Sequence, residues 1–216
     1  MDNNINCRGH EQRKIICQEY ILRPLTFTVL LSNQQKYSCA SHSMLKDRYY
    51  TFEYESRLNA NDKGTFFVGE SSGRDFINIL KSYGNVYEPP LFNPLKIINK
   101  NINKINSNTV DTTNTDIFKM TELNKEVYIA INLLCMIWDT IPFGNIQSIL
   151  EFCATAKVNT QDWSIKSINN LIGKDYYNRT LYQMIKELDY SNKIKQYDFK
   201  LITKIIDKNG WKNNIK

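Results

Sequence analysis

The sequence predicts an α+β protein, with a small β-hairpin and helix module on the N-terminal side and an all-helical C-terminal domain after it. Three observations lead there. Residues 49–56, YYTFEYES, alternate Tyr50, Phe52 and Tyr54 with Thr51, Glu53 and Glu55, which is the two-residue period of a strand. From Thr121 onward the apolar residues recur at helical spacing, beginning with the run VYIAINLLCMIW at 127–138. Between the two lies a stretch rich in Asn and Thr with little to bury. The expected organisation is therefore a module over 1–92, a linker over 93–118 and a helical domain over 119–216.

Residues 19–31 place Thr, Phe and Val in near alternation after Pro24, and this segment reads as a strand followed by a turn at NQQ. The strand at 49–56 turns through RLNANDKG into TFFVG, giving a hairpin with one aromatic face. That face, Tyr50, Phe52 and Tyr54, is the first surface expected to meet a protein partner. ESSGRDFINILKSYG follows as a helix, with Ser71 and Ser72 placed to cap its amides, Phe76, Ile77 and Leu80 on one face and Gly84 as its stop. The prolines of VYEPPLFNP end the pattern, although Ile98, Ile102 and Ile105 in the linker have helical spacing. Five helical segments come next, over 121–141, 144–156, 160–173, 175–190 and 191–210, with Pro142, Gly173 and Gly210 as terminators.

A chain of 216 residues with 42% apolar residues is able to bury a sizeable core. Its longest apolar run is too short to cross a bilayer, and no basic start precedes an apolar segment, so the expected state is a soluble cytoplasmic protein without membrane contact. Five cysteines, at 7, 17, 39, 135 and 153, form an odd and scattered set, unlike a secreted disulfide scaffold, and point to a reducing compartment. Cys17, Cys135 and Cys153 lie in apolar surroundings and read as small core residues. Abundant Asn, Lys, Ile and Tyr suggest an A+T-rich genome or a mobile element.

The net charge of +6 is uneven. Residues 1–92 carry eleven basic and ten acidic groups, 121–190 carry six and eight, and 191–216 carry seven and two. The excess is in the tail, where Lys200, Lys204, Lys208 and Lys212 recur every four residues opposite Ile194, Tyr197, Leu201, Ile202, Ile205 and Ile206. One helix would then bury an apolar face and show a lysine stripe to an anionic partner.

Both histidines stand three residues after a cysteine, His10 after Cys7 and His42 after Cys39. Structural zinc takes four Cys or His ligands in a tetrahedron, and a Cys-x-x-His step presents two of them. The order of Cys39–His42 step, hairpin and helix resembles a treble-clef zinc finger over residues 37–84. That resemblance implies a second ligand pair at the start of the helix, where this chain has Glu70, Ser71 and Ser72. Two readings follow: the hairpin and helix pack without metal, or Cys7 and His10 complete a Cys2His2 site.

Catalytic patterns are sparse. No phosphate-binding G-x-x-x-x-G-K-[ST], no G-x-G-x-x-G and no H-E-x-x-H occurs. Gly69-Glu70-Ser71-Ser72-Gly73 has the spacing of a nucleophile elbow, but both histidines precede it and the later chain is helical. A ββα-type nuclease would use His42 as base and Asn78 on the following helix to hold a cation.

INNLIGKDYYNRTLYQMIKEL, residues 168–188, resembles a helix-turn-helix. The resemblance implies that the second helix packs Leu181, Ile185 and Leu188 inward and offers Arg179, Gln183 and Lys186 to a groove. The expected role is a non-enzymatic accessory protein associated with DNA or RNA, with zinc admitted as a structural metal. A protein-interaction adaptor or inhibitor is the alternative, and a nuclease the third reading.

Overall fold

The computed structural model describes residues 5–96 and 119–216. Chain contacts divide it into two compact units, Met1–Leu91 and Phe92–Lys216. The expected linker at 93–118 lies outside the described residues except for 93–96.

The first unit opens with a helix that the sequence did not announce, α1 (His10–Glu19). Only Ile16 and Cys17 of this helix are buried, so it carries almost no apolar periodicity. Strand β1 (Tyr20–Val29) follows, then β2 (Arg48–Ser56), β3 (Lys63–Gly69) and α2 (Glu70–Tyr83). With the two-residue β4 (Leu91–Phe92) the sheet has the order β3-β2-β1-β4, and the β1–β2 and β2–β3 pairs are antiparallel. The β1–β2 register shifts at Pro24, which has no amide hydrogen to give to a ladder.

The aromatic face of the hairpin is the core of this unit and not a docking surface. Phe52 and Phe66 are fully enclosed, Tyr50 is 1% exposed and Tyr54 is 9% exposed. Phe52 stands 5.4 Å from the rings of both Phe66 and Phe76, the latter on α2, and Tyr50 stacks on Phe27 at 4.0 Å. An exposed strand face of this size would have to be covered, and α2 covers it with Phe76, Ile77 and Ile79.

Gly73 lets the helix come that close. A β-carbon built there would sit 2.1 Å from Cδ2 and 2.6 Å from Cγ of Tyr50. The Gly69-x-Ser71-x-Gly73 spacing is thus explained by helix-on-sheet contact in an antiparallel sheet. The serines do not cap α2: Gly69 occupies the N-cap position, and no side chain bonds the first amides. Gly84 ends the helix as the sequence predicts.

Among the described residues the second unit has five helices, α3 (Glu122–Ile137), α4 (Gly144–Thr155), α5 (Asp162–Ile172), α6 (Leu181–Asn192) and α7 (Lys200–Lys208). Thr121 caps α3 by accepting the amide of Asn124, and ten residues of α3 are buried, which makes it the central helix. It packs against α4, α5, α6 and α7. Two expected helices are shorter than the sequence suggests. Residues 174–180 form a loop before α6, and 193–199 run as a non-helical segment before α7, tied by a bridge between Leu95 and Ile194 and by Lys195 N–H to the Pro94 carbonyl at 2.8 Å. Among the described residues no helix is long and apolar enough to cross a membrane.

Candidate functional site

The four expected zinc ligands divide into a bonded pair and two separate histidines. Cys7 and Cys39 are joined as a disulfide, with Cα atoms 5.7 Å apart, and both are buried. A sulfur in a disulfide has no thiolate to give to zinc. His10, on the first turn of α1, directs Nδ1 to Asp75 on α2 (2.9 Å), a carboxylate that also accepts Nε of Arg13 at 2.5 Å. Burial works to raise the Asp75 pKa, but the bonds from His10 and Arg13 outweigh it and hold the carboxyl low. His42 lies in an exposed turn at φ 51°, its amide bonded to the Ser38 carbonyl at 2.8 Å. Among the described residues no three His, Cys, Asp or Glu side chains gather as a metal-holding group. The sequence pointed to Cys7 and Cys39 meeting across the fold, but not to Asp75, whose distance of 65 residues from His10 leaves no local signal.

The remaining cysteines are unreactive by environment. Burial pushes the thiol of Cys17 up to about 11, raised further by Asp75, and those of Cys135 and Cys153 up to about 12. His42 precedes β2 and Asn78 lies exposed on α2, which is where the nuclease reading had them.

The expected groove-reading side chains are engaged within the fold. Arg179 donates Nε and Nη2 to Asp175, at 3.0 and 2.8 Å, and reaches Glu187 with Nη1. Asp175 is buried and also accepts the backbone amides of Tyr177 and Arg179 and the indole N–H of Trp138. The Arg179 side chain is 22% exposed. Gln183 is part of a capping box: its Oε1 accepts the Thr180 amide at 2.8 Å while its own amide donates to Thr180 Oγ1. The Thr-x-x-Gln spacing is the sequence signature of that cap, and it explains why α6 starts at Leu181. The connection between α5 and α6 covers residues 173–180, against a turn of about three to four residues in a helix-turn-helix. Of the three expected readers, Gln183 and Lys186 are exposed and Arg179 is half-buried.

The lysine stripe is on the surface. Helix α7 buries Ile202, Thr203 and Ile206 and exposes Lys200, Lys204 and Lys208, while Leu201, expected on the buried face, is 37% exposed. With a rise of about 1.5 Å per residue, the three charges span about 12 Å. The helix start is fixed by Glu126 of α3, whose carboxylate accepts the amides of Leu201 (3.1 Å) and Ile202 (2.9 Å). Lys212 is not on this helix. It belongs to a terminal segment held along α5, where Asn169 donates to the Lys212 carbonyl at 2.7 Å and accepts the Asn214 amide at 3.0 Å.

Beside the start of α7 the segment 194–199 and α6 enclose a cleft of about 680 Å³. Ile185 and Ile194 are its buried apolar residues, Tyr182 and Tyr197 are half-buried, and Lys186, Asp189, Lys195, Gln196 and Asp198 are its polar ones. The two tyrosines pack on the buried ring of Phe199, at 5.8 and 6.4 Å.

The chain belongs to a family described as "Uncharacterised conserved protein UCP028583", which matches residues 5–211. No curated protein and no solved structure matches it.

Proposed function

We propose that this member of the family is a non-enzymatic nucleic-acid-associated protein whose contact surface is the lysine face of α7. The observation that carries the reading is the exposure of Lys200, Lys204 and Lys208 along one helix whose opposite face is buried and whose start is pinned by Glu126. Ammonium groups spaced along one helix face suit a phosphate backbone, because each one that neutralises a phosphate releases a condensed counterion. Lys212, on the terminal segment along α5, is a further exposed lysine. A structural zinc site belongs to the reduced chain, in which Cys7 and Cys39 would be adjacent thiolates and His10 would have to exchange Asp75 for the metal.

The test is the salt dependence of binding. Affinity for nucleic acid should fall steeply as salt rises, and replacing Lys200, Lys204 and Lys208 by Gln should flatten the log–log slope by roughly two to three. Absence of any salt-sensitive binding at low ionic strength would remove the reading. A protein-interaction role is the second reading, favoured by the apolar groove of about 330 Å³ where Phe152 and Trp163 are 40% and 52% exposed. A stoichiometric protein partner whose binding is lost on Trp163→Ala, with no nucleic-acid affinity, is the result that would install it.

A further inference from the structure

We infer that the cleft between α6 and residues 194–199 seats unpaired bases, so that the ligand of this unit is single-stranded nucleic acid. The inference rests on the nucleic-acid reading above and specifies its ligand. Two independent observations lead to it.

The first concerns what α6 is able to do in a duplex groove. Bidentate reading of base edges needs free Arg, Asn or Gln side chains at the groove-facing end of a helix. Here Arg179 is bound to Asp175 and Glu187, and Gln183 is part of the cap of its own helix. Releasing either one would break the loop or the helix start.

The second concerns what the cleft offers instead. Proteins that hold single strands join a positively charged path for the backbone to aromatic side chains on which bases stack. Tyr182 and Tyr197 line the cleft with Ile185 beside them, and Gln196 supplies an amide for base edges. Lys186 and Lys195 lie at the same cleft, and α7 begins at Lys200, directly after the segment that forms it. Two carboxylates line it as well: Asp189 accepts the Ile194 amide, and Asp198 pairs with Lys200 at 2.6 Å. Lys195 also donates to the Asn93 carbonyl at 2.8 Å. The cleft volume of about 680 Å³ is in the range of ligand sites. A strand whose phosphates follow Lys200, Lys204 and Lys208 would thus deliver a base into the cleft at one end of the helix.

The experiment uses the full chain, a labelled oligothymidine and a duplex of equal length, with binding followed by anisotropy at low salt. Ultraviolet crosslinking and peptide mapping locate the contact. The single strand should bind at least about tenfold tighter than the duplex, and crosslinks should fall on Tyr182 or Tyr197. Tyr197→Ala should weaken single-strand binding by roughly tenfold, as expected for loss of one stacked base. Lys186→Glu, an exposed change that leaves the core intact, should weaken it as well and guards against a folding defect in the tyrosine variant. Duplex binding equal to or tighter than single-strand binding, with no effect of either cleft variant but a slope still carried by the α7 lysines, would overturn this inference and leave the wider reading standing. Binding to neither ligand would overturn both.

Discussion

Phe52→Ala should destabilise the first unit by about 3–5 kcal/mol, the usual cost of removing a buried aromatic ring. Phe52 is fully enclosed and touches Tyr50, Phe66 and Phe76, so the sheet and α2 lose their common contact at once. The remaining rings cannot close the gap, because Tyr50 is held between Phe27 and the Gly73 backbone. With total stabilities of about 5–15 kcal/mol for a domain, the loss brings the unit near its unfolding point. The three tryptophans, Trp138, Trp163 and Trp211, all belong to the second unit, which gives the measurement its selectivity. In a urea titration the far-ultraviolet circular dichroism should acquire an early transition, while the tryptophan fluorescence midpoint should stay close to that of the parent. A tryptophan transition that moved equally would show that Phe52 supports more than the first unit.

Asp175→Asn should cost the second unit about 3 kcal/mol, as breaking a buried ion pair from one side leaves the other charge without its counterpart. Asp175 collects five donors, from Arg179, Trp138 and two backbone amides, and an amide at this position accepts fewer and more weakly. The side-chain bonds from Arg179, opposed by burial and helped by the backbone amide and Trp138, hold this carboxyl well below the usual carboxylate range. A depressed folded-state pKa gives stability that is present above the unfolded value near 4 and is lost as pH falls through the folded value. Stability of the parent should therefore decline in acid below about pH 4, and the Asn variant should show a shallower decline on the tryptophan signal. Parallel acid limbs in the two proteins would contradict this account.

The two positions differ in how plainly the sequence announces them. Phe52 is one of an alternating set, and alternation is a property of the strand itself, so the hairpin, α2 and the central helix α3 were readable from residue spacing. What spacing could not reveal was which face of the hairpin would be covered, since Tyr and Phe suit a core and an interface equally. Helix α1 escaped notice because just two of its residues face inward and Ile15 is 42% exposed. Residues 175–180 and 193–199 read as helical from apolar spacing, and there tertiary bonds decide otherwise: Asp175 gathers the first into a loop, and pairing with Pro94 and Leu95 extends the second.

The site shows the same division. Lysine periodicity on α7 was legible because a four-residue repeat is a direct geometric statement about one helix face. The engagement of Arg179 was not, because it depends on Trp138 and Glu187 as well as on Asp175. The capping role of Gln183 is written in the Thr180-x-x-Gln183 spacing itself. The pairing of Cys7 with Cys39 was approached from metal chemistry, which needs the same proximity of sulfurs.

That disulfide also turns the N-terminal region into a clock. Cys7 and Cys39 are 0% and 1% exposed, so a small thiol in solution meets the disulfide only when the segment around Cys7 lifts away from residues 38–39 and the hydrogen bond from the Cys7 amide to the Cys39 carbonyl parts. The rate of reduction is then set by how often that segment opens and for how long, and not by the reductant alone. Where opening is rare, the oxidised form persists through brief exposure to reducing surroundings, and the covalent state carries a record of where the chain has recently been.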